Sequence, residues 1–87
     1  MIVNVSKWDP VEVGKEYLVV RSVYVVDHKG YFSLQRKDFS DKWHGDISDF
    51  PYYHEMRGIR KVISIGPGRV WNQLRVVLSD DLYPDHP

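Results

Sequence analysis

The sequence contains no cysteine, no alanine and no threonine. Without cysteine the chain can form neither a disulfide nor a thiolate nucleophile, and a zinc site built on cysteine is excluded. Alanine is the strongest helix former, so its absence, together with the abundance of valine, favours strands over helices. We therefore expect a mainly β fold and, because nothing requires oxidation, a reducing compartment.

Net charge is absent as well, because 12 lysines and arginines balance 12 aspartates and glutamates. No bulk electrostatic field therefore draws the molecule to nucleic acid or to a membrane surface. No apolar run approaches the roughly 20 residues that span a bilayer, and no basic leader precedes an apolar core at the start of the sequence. We expect a cytoplasmic protein that has no membrane partner.

The charges are nevertheless segregated along the chain. The segment between Met56 and Ser79 carries only cations, whereas residues 38–55 carry acids and the single cation Lys42. The 87 residues are enough for one domain, and residues 80–87 are expected to form its acidic tail. Whether basic and acidic segments also separate in space depends on the fold.

The clearest local pattern is a hairpin over residues 59–78, where two β-branched runs flank Gly66-Pro67-Gly68. Proline followed by glycine fits a type II turn, in which the glycine takes a positive φ. A tight turn here predicts that Arg60 pairs with Arg75. The side chains that would share the core face are Ile59, Ile63, Ile65, Val70, Leu74, Val76 and Leu78.

The opposite face of this hairpin would combine Trp71 with the arginines Arg60, Arg69 and Arg75. Like charges directly opposite each other destabilise a sheet, so we expect acidic side chains near Arg60 and Arg75. If the face is open instead, Trp71 would be a stacking platform and the arginines would neutralise the backbone of a single-stranded nucleic acid.

Earlier in the chain, strands are expected at residues 2–5, 16–26 and 31–37. The last two are predicted to form a hairpin around a type I turn at residues 27–30, with Gly30 in the left-handed conformation. The run 16–26 is apolar on both faces, which is typical of a central strand, and a bend or bulge is expected at Arg21 and Ser22.

Residues 38–58 are acidic and aromatic, and a short helix is predicted within them. Asp49 would cap its start, Pro51 would lie in its first turn and Gly58 would end it. The predicted fold is thus a curled antiparallel sheet, or a partly open barrel, of about five strands with one short helix. The order of hairpin, insertion and hairpin is similar to that of small SH3-like and OB-like barrels.

The same insertion contains residues that could bind a metal, but their spacing matches no metal motif. They are His44, Asp46, Asp49, His54 and Glu55. A small hydrolase, with His54 as base and Glu55 or Asp49 orienting it, is the third function considered, and no nucleophile motif supports it. We expect no catalytic site, no metal and no cofactor.

Aromatic side chains make up 14% of the residues, more than a small core covers. Exposed aromatic residues on the insertion would anchor a protein partner, although they could equally cover the barrel. We therefore predict a non-enzymatic protein-binding module, of the inhibitory or accessory kind that phages and mobile elements encode. The alternatives are single-stranded nucleic-acid binding and, as a further mode of association, pairing of two copies through an edge strand. The predicted binding residues are Trp43, Tyr52, Tyr53, Arg60, Arg69, Trp71 and Arg75.

Overall fold

The computed structural model describes residues 1–36 and 51–83, which form five antiparallel strands. The strands are β1 (Ile2–Ser6), β2 (Glu16–Tyr24), β3 (Gly30–Arg36), β4 (Tyr52–Pro67) and β5 (Gln73–Leu78). They build one open sheet in the order β1-β5-β4-β2-β3, so the prediction of a mainly β fold with five strands is confirmed. The part of the chain described here holds no helix of the length and apolarity needed to cross a membrane.

The long strand β4 belongs to both halves of the sheet. Its first part pairs with β2 and its last part pairs with β5. A bulge lies where the pairing shifts from Leu18–Ile59 to Val20–Met56, and Gly58 there has a φ of 90°. Bulges bend a strand and glycine tolerates this φ, so β4 can pass from one half to the other. The edge strands β1 and β3 are also in contact with each other.

The core lies between the two halves of the sheet and is built mainly of valine. Val19 and Val76 are fully buried, and Leu74 and Ile65 pack against the cluster from its margin. Each such aliphatic side chain contributes about 1.5–3 kcal/mol when it is fully buried. The buried members of the cluster are Val3, Val5, Val19, Leu34, Val62, Val76 and Leu78.

The β4–β5 hairpin exists, but its predicted register is wrong. Ile65 pairs with Val76 rather than with Val70, and the chain reverses over residues 68–72. Gly68 is not among the described glycines with positive φ, so the type II turn is also wrong. Its lack of a side chain serves close approach instead, because a Cβ at Gly68 would lie 2.7 Å from the backbone carbonyl of Gln73.

The predicted core face is correct for β5 and partly wrong for β4. A second bulge, between Val62 and Ser64, changes which side chains of β4 point inward. As a result Val62 is buried, whereas Ile63 is 56% exposed. Val70 is 51% exposed because it lies in the loop and not in β5.

The helix predicted over residues 49–58 is not seen: residues 52–58 belong to β4, and Asp49 lies outside the described residues. Aromatic side chains suit a strand, and Tyr52 and His54 pair with Tyr24 and Ser22 of β2. Pairing with a central strand therefore overrides the local helix signals.

The first three predicted strands are confirmed with small changes of boundary, and so is the β2–β3 hairpin. The left-handed residue of its loop is His28, with a φ of 58°, and not Gly30, which pairs with Val23. The irregularity of β2 lies between Leu18 and Val20 and not at Arg21 and Ser22.

The segment that follows β5 runs beside β4. The Ser79 N–H donates to the Lys61 carbonyl and the Leu82 N–H to the Ile59 carbonyl. Leu82 of the predicted tail is therefore bonded to β4, and residues 84–87 lie outside the described part of the chain.

Candidate functional site

Two tryptophans lie side by side on the surface. Trp8 is 65% exposed and Trp71 is 78% exposed, and their ring centroids are 6.0 Å apart in an edge-to-face arrangement. The Lys7 ammonium lies over both rings, 4.9 Å from the Trp8 centroid and 4.7 Å from the Trp71 centroid. We call Lys7, Trp8 and Trp71 the tryptophan patch.

The patch joins two loops that are far apart in sequence. Lys7 and Trp8 follow β1, while Trp71 lies in the loop between β4 and β5. The Lys7 N–H donates to the Asn72 carbonyl at 3.0 Å, which fixes one loop on the other. The aromatic pair and an exposed cation–π contact each contribute about 0.5–1 kcal/mol. The rings are therefore held in place before anything binds.

A cleft of about 260 Å³ opens beside the patch, where β1 and β3 meet. We call it the seam cleft. The residues that line it come from β1 and the turn after it, from β3, and from the start of β5: Asn4, Ser6, Asp9, Tyr31, Phe32, Ser33, Asn72 and Gln73. It adjoins the patch, because Asp9 follows Trp8 in the chain.

Two acceptors among the residues that line the seam cleft are unusual. Asn4 Oδ1 is buried and has no hydrogen-bond partner among the residues that the structure describes, whereas most buried polar atoms in proteins are hydrogen-bonded. Burial also raises the pKa of the Asp9 carboxyl above its ordinary value, because the charged form loses solvation. Of the two, the partly exposed Asp9 carboxylate is the one that a ligand can reach.

A second cleft, of about 320 Å³, lies on the face of β2, β3 and β4 that points away from the valine core. Here Ser22 Oγ and His54 Nδ1 are 2.8 Å apart, and the Tyr52 ring packs edge-on against His54. Ser22 is only 3% exposed. The pair therefore bridges two neighbouring strands at a buried position.

The predicted basic face is not assembled as expected. Arg60 pairs with Tyr17 of β2, whereas Arg75 lies between Asn4 and Gly66. The two arginines are not opposite each other, so the reason to expect an acid between them disappears.

The individual arginines differ in environment. The Arg60 guanidinium is half-buried and donates to the backbone carbonyls of Arg57 and Ser79, at 3.1 and 3.0 Å. Arg69 is exposed in the same loop as Trp71, and Arg75 is exposed on β5. Of the predicted face, only Trp71 and Arg69 therefore lie close together in the chain and on the surface.

The structure does not bring together the aromatic residues that were predicted to anchor a partner. Tyr52 and Tyr53 are consecutive residues of β4 and point to opposite faces of the sheet, and both are partly buried. Tyr52 packs edge-to-face on Tyr24, with 5.9 Å between ring centroids. Trp43 lies outside the described residues.

The residues considered for metal binding or catalysis do not converge either. His54 and Glu55 also point to opposite faces of β4, and Glu55 pairs with Arg57 at 2.6 Å and with Arg21 at 3.5 Å. Residues 1–36 and 51–83 contain no group of three or more metal-binding side chains that could hold an ion. His44, Asp46 and Asp49 lie outside these ranges.

Reasoning from sequence did not find Lys7, Trp8 or the seam cleft. The contact between Trp8 and Trp71 depends on β1 pairing with β5, which brings Ser6 opposite Gln73. A signal existed for Trp8 alone, because it directly precedes Asp9-Pro10, where a strand does not continue. Comparison of the chain with family models, curated proteins and solved structures found no match.

Proposed function

We propose that this protein is a non-enzymatic module that binds another protein through the tryptophan patch. The observation that carries the proposal is the exposure of two adjacent tryptophan rings, 65% for Trp8 and 78% for Trp71. Tryptophan buries a large area at low entropic cost and is enriched among the residues that dominate binding energies.

The fixed geometry of the patch supports the same proposal. Lys7 contacts both rings, and its backbone is bonded to the loop that carries Trp71. A side chain that is already held in place loses little freedom on binding, so more of the contact energy contributes to affinity. Val70, exposed beside Trp71, enlarges the apolar surface that a partner can cover.

The experiment is affinity capture from the source cell, followed by calorimetry with the purified partner. Trp71→Ala is expected to weaken binding by about 30-fold, because a central tryptophan contributes about 2 kcal/mol or more. Val26→Ala is the matched control, since Val26 is 82% exposed on the other hairpin loop. Equal dissociation constants for Trp71→Ala and the unaltered protein would contradict the proposal.

Single-stranded nucleic acid is the second candidate, favoured by the exposed Trp71 ring with Lys7 against it and Arg69 in the same loop. Bases stack on such rings, and the cations would contact phosphates. The half-buried Arg60 and the nearby Asp9 carboxylate make this reading weaker. Oligonucleotide binding that needs Trp71 and falls steeply as salt rises would replace the protein proposal.

The finer parts of the sequence-based prediction remain parts of this proposal. They are an inhibitory or accessory role, a cytoplasmic location, a barrel-like curl of the sheet and self-association through an edge strand. Light scattering across a range of concentrations tests the last of these, and a constant monomer mass would contradict it.

A further inference from the structure

The seam cleft contains a carboxylate that the described residues do not pair with a cation. The partly buried Asp9 carboxylate forms no ion pair within residues 1–36 and 51–83. Asn4, which also lines the cleft, has a buried Oδ1 with no donor in the same ranges. The carboxylate matches a ligand group that carries several N–H donors and a positive charge.

The neighbouring strand narrows the chemistry of that group. Tyr31 and Phe32 of β3 also line the cleft, and Tyr31 is 47% exposed. A guanidinium is planar, stacks on aromatic faces and offers five N–H donors, whereas an ammonium is a compact and strongly hydrated charge. A carboxylate and aromatic residues in one cleft therefore favour arginine over lysine.

The size of the cleft fits one side chain. Its volume of about 260 Å³ lies below the roughly 300–1,000 Å³ that is usual for small-molecule sites. It also adjoins the tryptophan patch, because Asp9 follows Trp8 and the cleft residue Asn72 follows Trp71. A protein that covers the patch can thus place one side chain in the cleft.

We propose that the seam cleft receives an arginine side chain of the protein partner, whose guanidinium donates to the Asp9 carboxylate. This inference rests on the proposed function, since it names the chemistry of the partner at the edge of the tryptophan patch. It assigns the cleft a recognition role that is separate from the apolar contact made by the rings.

The test uses the intact protein and N-acetyl-arginine amide as the probe, followed by amide chemical shifts in NMR spectra. Saturable shifts are expected at Asn4, Ser6 and Asp9. The citrulline analogue has nearly the same shape without the charge and is the matched control. Absence of saturable shifts up to the solubility limit of the probe, or equal affinity for citrulline, would overturn the proposal.

Two substitutions define the site further. Asp9→Asn is expected to weaken binding of the arginine probe by about tenfold, because a charge-assisted bond is replaced by a neutral one. Asp80→Asn removes one negative charge from an exposed position outside the cleft and should leave the affinity unchanged. Equal affinities for Asp9→Asn and the unaltered protein would refute the assignment.

Failure of the arginine assignment can be told apart from failure of partner binding through the tryptophan patch. The cleft lining does not include the tryptophan rings, so Trp71→Ala should still bind the arginine probe while losing the protein partner. If Trp71→Ala loses the partner and the probe never binds, only the arginine assignment fails. If the probe binds and Trp71→Ala keeps the partner, the tryptophan patch is not the docking site.

Discussion

The loop that closes the β2–β3 hairpin and the loop that closes the β4–β5 hairpin are held in different ways. In residues 25–29 most of the bonds are local: the Tyr24 N–H donates to the Lys29 carbonyl and the His28 N–H to the Tyr24 carbonyl, both at 2.8 Å. Asp27 adds a side-chain acceptor for the Lys29 N–H at 3.0 Å, and one longer-range bond runs from the Val25 N–H to the Pro51 carbonyl at 3.0 Å. This loop is therefore held mainly by bonds among its own residues and those that flank it.

The second loop, residues 68–72, is held from outside as well. The Gly68 N–H donates to the Gln73 carbonyl at 3.1 Å, but Asn72 also accepts the Lys7 N–H from beyond β1. Both loops expose an apolar side chain, Val26 in the first and Trp71 in the second. Only the second has its exposed side chain fixed by distant residues, which is the arrangement expected of a binding surface.

The largest effect is expected from Gly68→Ala, which disrupts the second loop. Gly68→Ala places a Cβ 2.7 Å from backbone atoms of Gln73, which cannot move aside as a flexible side chain would. We expect a loss of about 2 kcal/mol in the free energy of unfolding, measured by urea denaturation.

Gly66→Ala is the matched control in the same Gly-Pro-Gly sequence. A Cβ at Gly66 would meet nothing within 4 Å, so the change should stay within about 0.5 kcal/mol. Equal losses for the two variants would mean that the close approach of Gly68 to Gln73 is not what makes alanine unfavourable at that position.

The same contrast explains how much of the fold could be predicted from the sequence. The β2–β3 hairpin was predictable because its turn residues and both strands are contiguous. The β4–β5 register was not, since Gly66-Pro67-Gly68 resembles a tight turn, while the bulge at Val62 and the long loop depend on contacts with other strands. Gly58 gave a helix-ending signal, but in the sheet its positive φ serves a bulge.

In the candidate site, too, local sequence patterns were informative, whereas contacts between distant segments were not predictable. Trp71 was predicted as a binding residue on a strand face away from the core, but its exposure in the structure comes from its place in the loop between β4 and β5. Lys7 and Trp8 were missed because only the pairing of β1 with β5 brings them to Trp71. Asn4 and Asp9 gave no signal at all, since their role depends on β1 and β3 meeting at the seam.

A smaller effect is expected from Lys7, and it tests whether this residue stabilises the second loop. Lys7→Ala removes the ammonium that lies over both tryptophan rings, and we expect a loss of about 0.5–1 kcal/mol in stability. Lys29→Ala, on the first loop, should cost less than about 0.5 kcal/mol. If thermal melts show equal losses for both variants, Lys7 is not what sets the second loop apart.

A further substitution is expected to strengthen the first loop. His28 has a φ of 58°, which costs a side-chain-bearing residue more than it costs glycine. His28→Gly should raise stability by about 0.5 kcal/mol, after the added freedom of the unfolded chain is subtracted. Lys29→Gly has no positive φ to relieve and should lower stability, so the same sign for both in urea denaturation would contradict this account.

The smallest expected effect concerns Asp9, which follows the residues that hold the second loop. Burial raises the pKa of its carboxyl, so folding favours the protonated form. The cost of the buried charge is absent well below the ordinary aspartate pKa of about 4 and develops as the pH rises through the raised value.

Asp9→Asn should therefore be more stable than the unaltered protein at pH 7, and the difference should vanish at acidic pH. The other residues that line the seam cleft carry no carboxylate or basic group, so the pH dependence of this difference reports Asp9 itself. Urea denaturation at a series of pH values, with Asp80→Asn as the control for lost charge, measures it. A difference that does not change with pH would show that Asp9 is not desolvated in the cleft. If it does change as expected, a carboxylate that weakens the free domain is kept where an arginine of a partner would pair with it.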